Sequence, residues 1–270
     1  MTPLRRTALA ALWAQPVKRV LTRVPLVRRL YSGWTRIHPF DAEYGVDTSG
    51  WVPATECAPT PAMAARMSPY GGSQPSIVRR CLAAIPDHDR YAFVDLGCGK
   101  GRPLVVASEF PFRRIVGVEL SKTLADTAAR NAAVVAAAHP QRTPIEITLG
   151  DATAIVPPHD RVVYYMYHPF DRSLVTALVA NIASQLENGL RHAWFIYYNP
   201  VHGVVLDSSA RFSRWDAETV PYASNELGYG PDLEDAFVIW QTTPPAYPPR
   251  PGARRPIVVD PSGSNAHVEH

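Results

Sequence analysis

Five short runs of β-branched, aliphatic and aromatic residues recur through the middle of the chain, at 91–96 (YAFVDL), 114–120 (RIVGVEL), 145–149 (IEITL), 161–167 (RVVYYMY) and 192–198 (HAWFIYY). Such compact apolar runs predict strands. The stretches between them have helical character. Pro103 opens 103–110 in the first-turn position where proline is tolerated. The span 122–138 is alanine-rich, and 171–188 places Leu174, Leu178, Ile182 and Leu186 on one face, with Asp171 as N-cap and Gly189 just beyond. A further helix is expected over 74–85, behind Ser73. Strands alternating with helices predict an α/β, doubly wound and mainly parallel sheet of Rossmann-like form. Two antiparallel strands, 211–222 and 235–242, are expected to close its edge and bring the sheet to seven strands. Alternation along the strands predicts that one tyrosine of each pair, Tyr164/Tyr165 and Tyr197/Tyr198, faces the core.

The two ends differ from this middle. Net charge over the 270 residues is only +3, yet residues 1–40 hold eight Arg and Lys and no acid, leaving the remainder at −5. Basic amphipathic helices are expected near 3–14 and 17–31. Arg5-Arg6 ahead of a short apolar stretch is a poor secretory signal, because Lys18-Arg19 follow closely and no small-x-small cleavage site appears. Residues 1–40 therefore read as an arm that packs on the domain, or meets an anionic membrane surface or an acidic partner. The proline-rich, Gly- and Ser-containing segment 244–270 is expected to be a disordered tail. The division is thus 1–69 as arm and covering segment, 70–243 as domain, and 244–270 as tail. Three widely spaced cysteines exclude a disulfide framework and a CxxC metal site, and no metal is expected. No run of 18 apolar residues is present.

The candidate chemistry begins at Asp95-Leu96-Gly97-Cys98-Gly99-Lys100-Gly101, between the first strand and the helix after it. Gly97 suits a sharp turn, Gly99 a close approach of ligand to backbone, and Gly101 close packing of helix on strand. Asp95, just ahead of the glycines, suits a cationic amine in the ligand. Glu119 ends the second strand, where an acid takes ribose hydroxyls in nucleotide-binding α/β folds, and Asp151 follows the third, within reach of an adenine amino group. Lys100 and Arg102 read as surface groups at a helix start, and Cys98 has no activating base beside it.

In these motifs the chain resembles class I S-adenosylmethionine-dependent methyltransferases over about residues 70–200. VDLGCGKG (94–101) resembles their first motif, GVELS (117–121) the acidic motif after it, and LGDA (149–152) the adenine-side motif. The resemblance implies S-adenosyl-L-methionine as cofactor. It sets Asp95 and Gly97 at the methionine end, Glu119 at the ribose, and Asp151 with the Ala152 backbone at the adenine. Tyr70-Gly71-Gly72-Ser73-Gln74-Pro75 is similar to the segment before the first motif in non-SET protein-lysine methyltransferases, which implies that Tyr70 belongs to a loop covering the cofactor. YGVDTSG (44–50) resembles an uncharacterised bacterial group. The fourth-strand end reads Tyr167-His168-Pro169-Phe170, where many amine methyltransferases carry Asn or Asp followed by two prolines and an aromatic residue.

Methyl transfer asks the protein to align two reactants and exclude water, with a base when the nucleophile is protonated. The candidates past the fourth and fifth strands include His168 as base, Tyr165 as a further catalytic candidate, Asn199 orienting the acceptor, and Phe170 with Tyr167 shaping an apolar acceptor slot. A nitrogen acceptor, a protein lysine or small amine, is expected ahead of an oxygen acceptor. A non-catalytic cofactor-binding module and a nicotinamide-dependent oxidoreductase are the other classes, and the glycine spacing with Asp95 opposes the latter. The arm shows no nucleic-acid recognition motif, so a nucleic-acid partner is not expected. The expected location is cytoplasmic, with a membrane-peripheral variant through the arm.

Overall fold

The computed structural model describes residues 36–230 and 232–269. The helices expected near 3–14 and 17–31 lie outside the described residues. No described helix is long and apolar enough to cross a membrane.

The seven strands of the main sheet are β1 (Ala92–Leu96), β2 (Arg114–Glu119), β3 (Ile145–Leu149), β4 (Arg161–Tyr167), β5 (His192–Tyr198), β6 (Phe212–Pro221) and β7 (Glu234–Thr242). Their spatial order is β3-β2-β1-β4-β5-β7-β6. The first five run parallel, β7 runs antiparallel to β5, and β6 pairs back on β7 with a bulge between Arg214 and Asp216. Because the chain winds outward from β1 in one direction and from β4 in the other, a crevice opens at their carboxyl ends.

The helices that lie in sequence between the parallel strands and ahead of the first are α1 (Pro75–Ala84), α2 (Arg102–Ala107), α3 (Lys122–Ala138) and α4 (Arg172–Gln185), with shorter helical turns elsewhere. Asp171 caps α4 as expected, accepting from the Leu174 amide at 2.8 Å. The start of α1 differs. Gln74 is its cap residue and makes no side-chain cap bond. The Glu226 carboxylate accepts from the Ser76 amide at 2.8 Å and from the Ser76 hydroxyl, so this helix start is satisfied by a side chain 150 residues away. Ser73 Oγ is then free to accept from Tyr165 at 3.0 Å.

Side chains alternate into two apolar layers. Phe93, Tyr165, Trp194, Tyr198 and Ile239 fill one, and Val94, Tyr164, Phe195, Tyr197 and Trp240 the other. Both members of each tyrosine pair are therefore buried, against the expectation of one. A parallel sheet covered on both faces leaves no wet side for its central strands.

The segment after residue 243 also departs from expectation. A 3-10 turn at Pro251–Arg254 is followed by an antiparallel hairpin of β8 (Ile257–Val259) and β9 (Ala266–Val268). This hairpin packs Val268 into the core and is fastened through polar groups as well. Thr219 Oγ1 accepts from the Val268 amide at 2.8 Å and donates to its carbonyl, and Arg250 Nη1 donates to Asp216 at 3.1 Å. Asn199, at φ 52° just past β5, donates to the Ser264 carbonyl at 3.1 Å and accepts from the Ala266 amide at 2.8 Å. Proline content does not register such anchors. Asn199→Ala removes two hydrogen bonds and the residue type that best tolerates that φ, and is expected to lower stability by about 2 kcal/mol in urea unfolding.

Candidate active site

The loop after β1 is fixed from the next strand. The amides of Gly97 and Cys98 both donate to the Val118 carbonyl, at 2.9 and 3.0 Å. Glu119, 4% exposed, accepts from the Gly99 amide at 2.7 Å through Oε2 and from the Ser121 amide at 2.8 Å through Oε1. Its backbone carbonyl accepts from the Gly150 amide at 2.9 Å. The end of β2 thus ties together the loops of β1 and β3. Burial raises the Glu119 carboxyl above its ordinary range, against the three backbone hydrogen bonds that pull it down. Asp151 is exposed and accepts twice from Thr153, through its amide and its hydroxyl, each at 2.8 Å; this starts the short turn Ala152–Ala154.

Asp95 is 2% exposed, and its Oδ2 is buried without a hydrogen-bond partner among the described residues. Burial first, and the charge of Glu119 second, push its carboxyl well above the usual range. A lone carboxylate oxygen in that setting is costly unless a donor or cation meets it.

The wall facing the glycine loop comes from residues 38–73. Arg102 is buried at 3% exposure. Its Nε donates to Thr48 Oγ1 at 2.7 Å, Nη2 to the Thr48 carbonyl at 3.0 Å, and Nη1 to the Ser73 carbonyl at 3.1 Å, with Asp41 at 3.9 Å. Asp41 in turn accepts from the Thr48 hydroxyl and from the amides of Thr48 and Ser49. Lys100 Nζ donates to Asp47 Oδ1 and to the Ser49 carbonyl, both at 2.7 Å. Asn131 of α3 bridges the Asp47 and Lys100 carbonyls at 2.8 and 2.9 Å. Reading Lys100 and Arg102 as surface groups is therefore corrected: both are committed to a segment about fifty residues upstream. Tyr70, donating to the Thr48 carbonyl at 2.7 Å, lays its ring so close over Gly99 that a Cβ there would collide with it. The rim continues through Ser68, whose amide donates to the Pro169 carbonyl at 3.0 Å.

Between this wall and the strand ends lies a cleft of about 900 Å³, counting the space at its open mouth. It brings together Tyr70, Asp95, Gly97, Gly99, Glu119, Asp151 and Ala152, and on its far side Tyr165, Tyr167 and Phe170. Gly101 stands just outside this lining, at the start of α2.

Two further expected site residues are not in the cleft. His168, at φ 37°, turns to the opposite face of the sheet, where its Nδ1 lies 2.9 Å from the Tyr197 hydroxyl. Burial and neighbouring His202 lower its pKa to about 4. A base held on the far face has no access to a group in the cleft. Asn199 is occupied with the C-terminal hairpin, as described above. Arg102 and Tyr167 are the residues that the sequence reading undervalued. The only local signal for Arg102 was its place directly after the third glycine.

S-Adenosylmethionine is tested by these residues and fits. Asp95 Oδ2 lacks a cationic donor among the described residues, Glu119 stands beside the glycine loop, and the Tyr70 ring lies over Gly99. Asp95 would hold the amino group, Glu119 the ribose hydroxyls, and Asp151 with Ala152 the adenine.

No family profile and no curated protein matches the chain. Solved structures similar to it include an RNA methyltransferase from Salinibacter ruber with bound S-adenosyl-L-homocysteine, at 20% identity and TM-score 0.43, covering 66% of this chain and 96% of that one. The 23S rRNA methyltransferase ErmE is similar at 15% identity and TM-score 0.45, covering 66% and 71%. Magnesium protoporphyrin IX methyltransferase from Synechocystis, solved with S-adenosylmethionine, is similar at 13% identity and TM-score 0.45, covering 62% and 76%.

Two outcomes are expected here. Arg102→Leu strips Thr48 and Ser73 of donors and Asp41 of its cation, and should cost about 3 kcal/mol in urea unfolding. His168 has a folded pKa below its unfolded value near 6.5, so its contribution to stability is complete above about pH 6.5 and is lost as pH falls toward 4. His168→Asn, which tolerates the positive φ, should therefore lose less stability than the parent chain between pH 6.5 and 4, measured by thermal melts at both ends.

Proposed function

We propose that this protein is an S-adenosylmethionine-dependent methyltransferase acting on a nitrogen acceptor, a protein lysine or a small amine. The observation that carries the reading is the buried Asp95 carboxylate, one oxygen unpartnered, one strand away from a Glu119 that grips the glycine loop.

The bound cofactor would supply an electrophilic methyl group on a sulfonium. The protein's part is positioning and exclusion of water. Glu119 holds the loop through Gly99, so the loop is set before any ligand arrives. Tyr70 covers the loop and limits water there. Tyr165, adjacent to Asp95 in the strand register, forms the boundary between the cofactor side and the acceptor side.

Among the described residues on the acceptor side of the cleft no side chain is poised as a base, which supports nitrogen over oxygen. Burial raises the thiols of Cys57 and Cys98 and the hydroxyls of Tyr70, Tyr165 and Tyr167, and Arg102 is committed to the wall. An alcohol requires a positioned base, whereas an amine can lose its proton to solvent before attack. His168→Asn should accordingly retain transfer.

Calorimetric titration with S-adenosylmethionine and, separately, NADH tests the cofactor. Saturable binding of the first alone is expected, weakened at least about tenfold by Asp95→Asn, which loses a charge-assisted hydrogen bond. The free Asp95 carboxyl has a raised pKa and must ionise to meet an ammonium. Affinity should therefore rise with pH through that raised pKa and then level off, until the ligand amine itself deprotonates near pH 8. A well-folded protein that binds no S-adenosylmethionine would sink the proposal. Labelled-methyl transfer into protein, RNA and small-molecule fractions then identifies the acceptor, and binding without transfer into any fraction would favour the non-catalytic module.

A further inference from the structure

The register of the sheet sets a line of side chains across the carboxyl edge on one face. Asp95 lies opposite Tyr165, Tyr167 comes two residues later on that same face, and Tyr167 lies opposite Tyr198 on the next strand. From the cofactor side outward the order is Asp95, Tyr165, Tyr167, Tyr198. Tyr167 lines the cleft. Its ring stacks on Tyr198, with centroids 4.4 Å apart and planes at 22°.

Behind that stack is a carboxylate. Tyr198 and Tyr222 both donate to Oδ2 of Asp235, each at 2.6 Å, and Asp235 is 4% exposed. Burial first, and after it the negative charges of Asp235 and Asp232, raise the Tyr167 hydroxyl, and Arg102 opposes them. Arg102 is spent on Thr48, Ser73 and Asp41.

We propose that Tyr167, stacked on Tyr198 and backed by the buried Asp235 carboxylate, is the specificity-determining wall of the acceptor side, and that it selects an alkylammonium group. The proposal rests on the methyltransferase reading for its biological use, but the site itself is independent of the cofactor. Tyr167 lines the cleft with an electron-rich ring held by the buried Tyr198, and the carboxylate behind the stack adds a field that favours a cation and penalises a neutral isostere. Phe170 supplies an apolar side for the alkyl stem. Tyr165, donating to Ser73, is held in place and limits how far the chain can enter. Such a wall binds the substrate ammonium and the methylated product cation by the same contacts, so it sets which acceptor enters rather than how fast the methyl moves.

The test uses two near-isosteric probes, n-butylammonium and n-butanol, titrated into the full chain and followed by NMR chemical shifts. Each is run with and without saturating S-adenosylhomocysteine. The ammonium is expected to bind at least about tenfold tighter than the alcohol. Asp235→Asn keeps an acceptor for both tyrosines but removes the charge, and should reduce that preference to less than about threefold. Tyr167→Leu should do the same, whereas Tyr167→Phe should keep most of it, and none of the three should change S-adenosylhomocysteine affinity more than about twofold. Equal binding of the two probes by the parent chain overturns the proposal, as does an undiminished preference in Tyr167→Leu. Should Asp235→Asn fail to fold, the Tyr167 pair decides alone. Failure of S-adenosylhomocysteine to bind while the ammonium preference persists would refute the cofactor reading and leave this site standing. Binding of S-adenosylhomocysteine without the preference would do the reverse.

Discussion

A guanidinium with 3% of its surface exposed must be met by oxygens on every side, and that requirement organises the cleft. Arg102 stands one residue beyond the glycine loop, so whatever satisfies it is brought against that loop. The chain meets the demand with the carbonyl and hydroxyl of Thr48, the carbonyl of Ser73 and, at longer range, the Asp41 carboxylate. Gly72 leaves the room: a Cβ there would stand 2.5 Å from the guanidinium. Once Thr48 and Ser73 are fixed, Tyr70 between them has little freedom, and its hydroxyl on the Thr48 carbonyl sets the ring over Gly99. Residues 38–73 are thus part of the site rather than an appendage to it. The boundary at residue 70 that composition suggests falls in the middle of one hydrogen-bonded unit.

What was legible in the sequence was what is encoded locally. The five parallel strands, the α3 limits and the Asp171 cap follow from apolar periodicity and a single capping side chain. The glycines and the acids at three successive strand ends follow from the same local geometry. What was not legible depends on partners far away in sequence. Glu226 caps a helix 150 residues earlier, Arg102 bonds residues 29 and 54 positions upstream, and Asn199 fastens a hairpin 65 residues downstream. Nothing in the local pattern distinguishes a lysine or arginine at a helix start that faces water from one that is swallowed by an upstream segment.

His168 illustrates a second kind of error. Its residue type and its place after a strand both suited a base, but type and place do not specify a face. Tyr165 and Tyr167 look into the cleft, and regular alternation alone sends residue 168 the other way. The positive φ there completes the turn toward Tyr197. Parity along β4 was available from the sequence, and it is the argument that should have outweighed chemical identity.

The charge distribution left in the cleft constrains any mechanism. One end holds Asp95 and Glu119; the other has the stacked tyrosines in front of Asp235; and burial raises the hydroxyls of Tyr165 and Tyr167 between them. On the proposed reading, such a site would gain its rate from fixing a cationic cofactor at one acid and a cationic acceptor near another, so that two positive ligands approach at a distance the protein sets. Two cations repel, and the repulsion is relieved when the acceptor gives its proton to water. In the proposed reaction the acidic ends would therefore do more than bind: they would make it favourable for both ligands to be present together, and would leave deprotonation of the acceptor as the event after which the two can close to reacting distance.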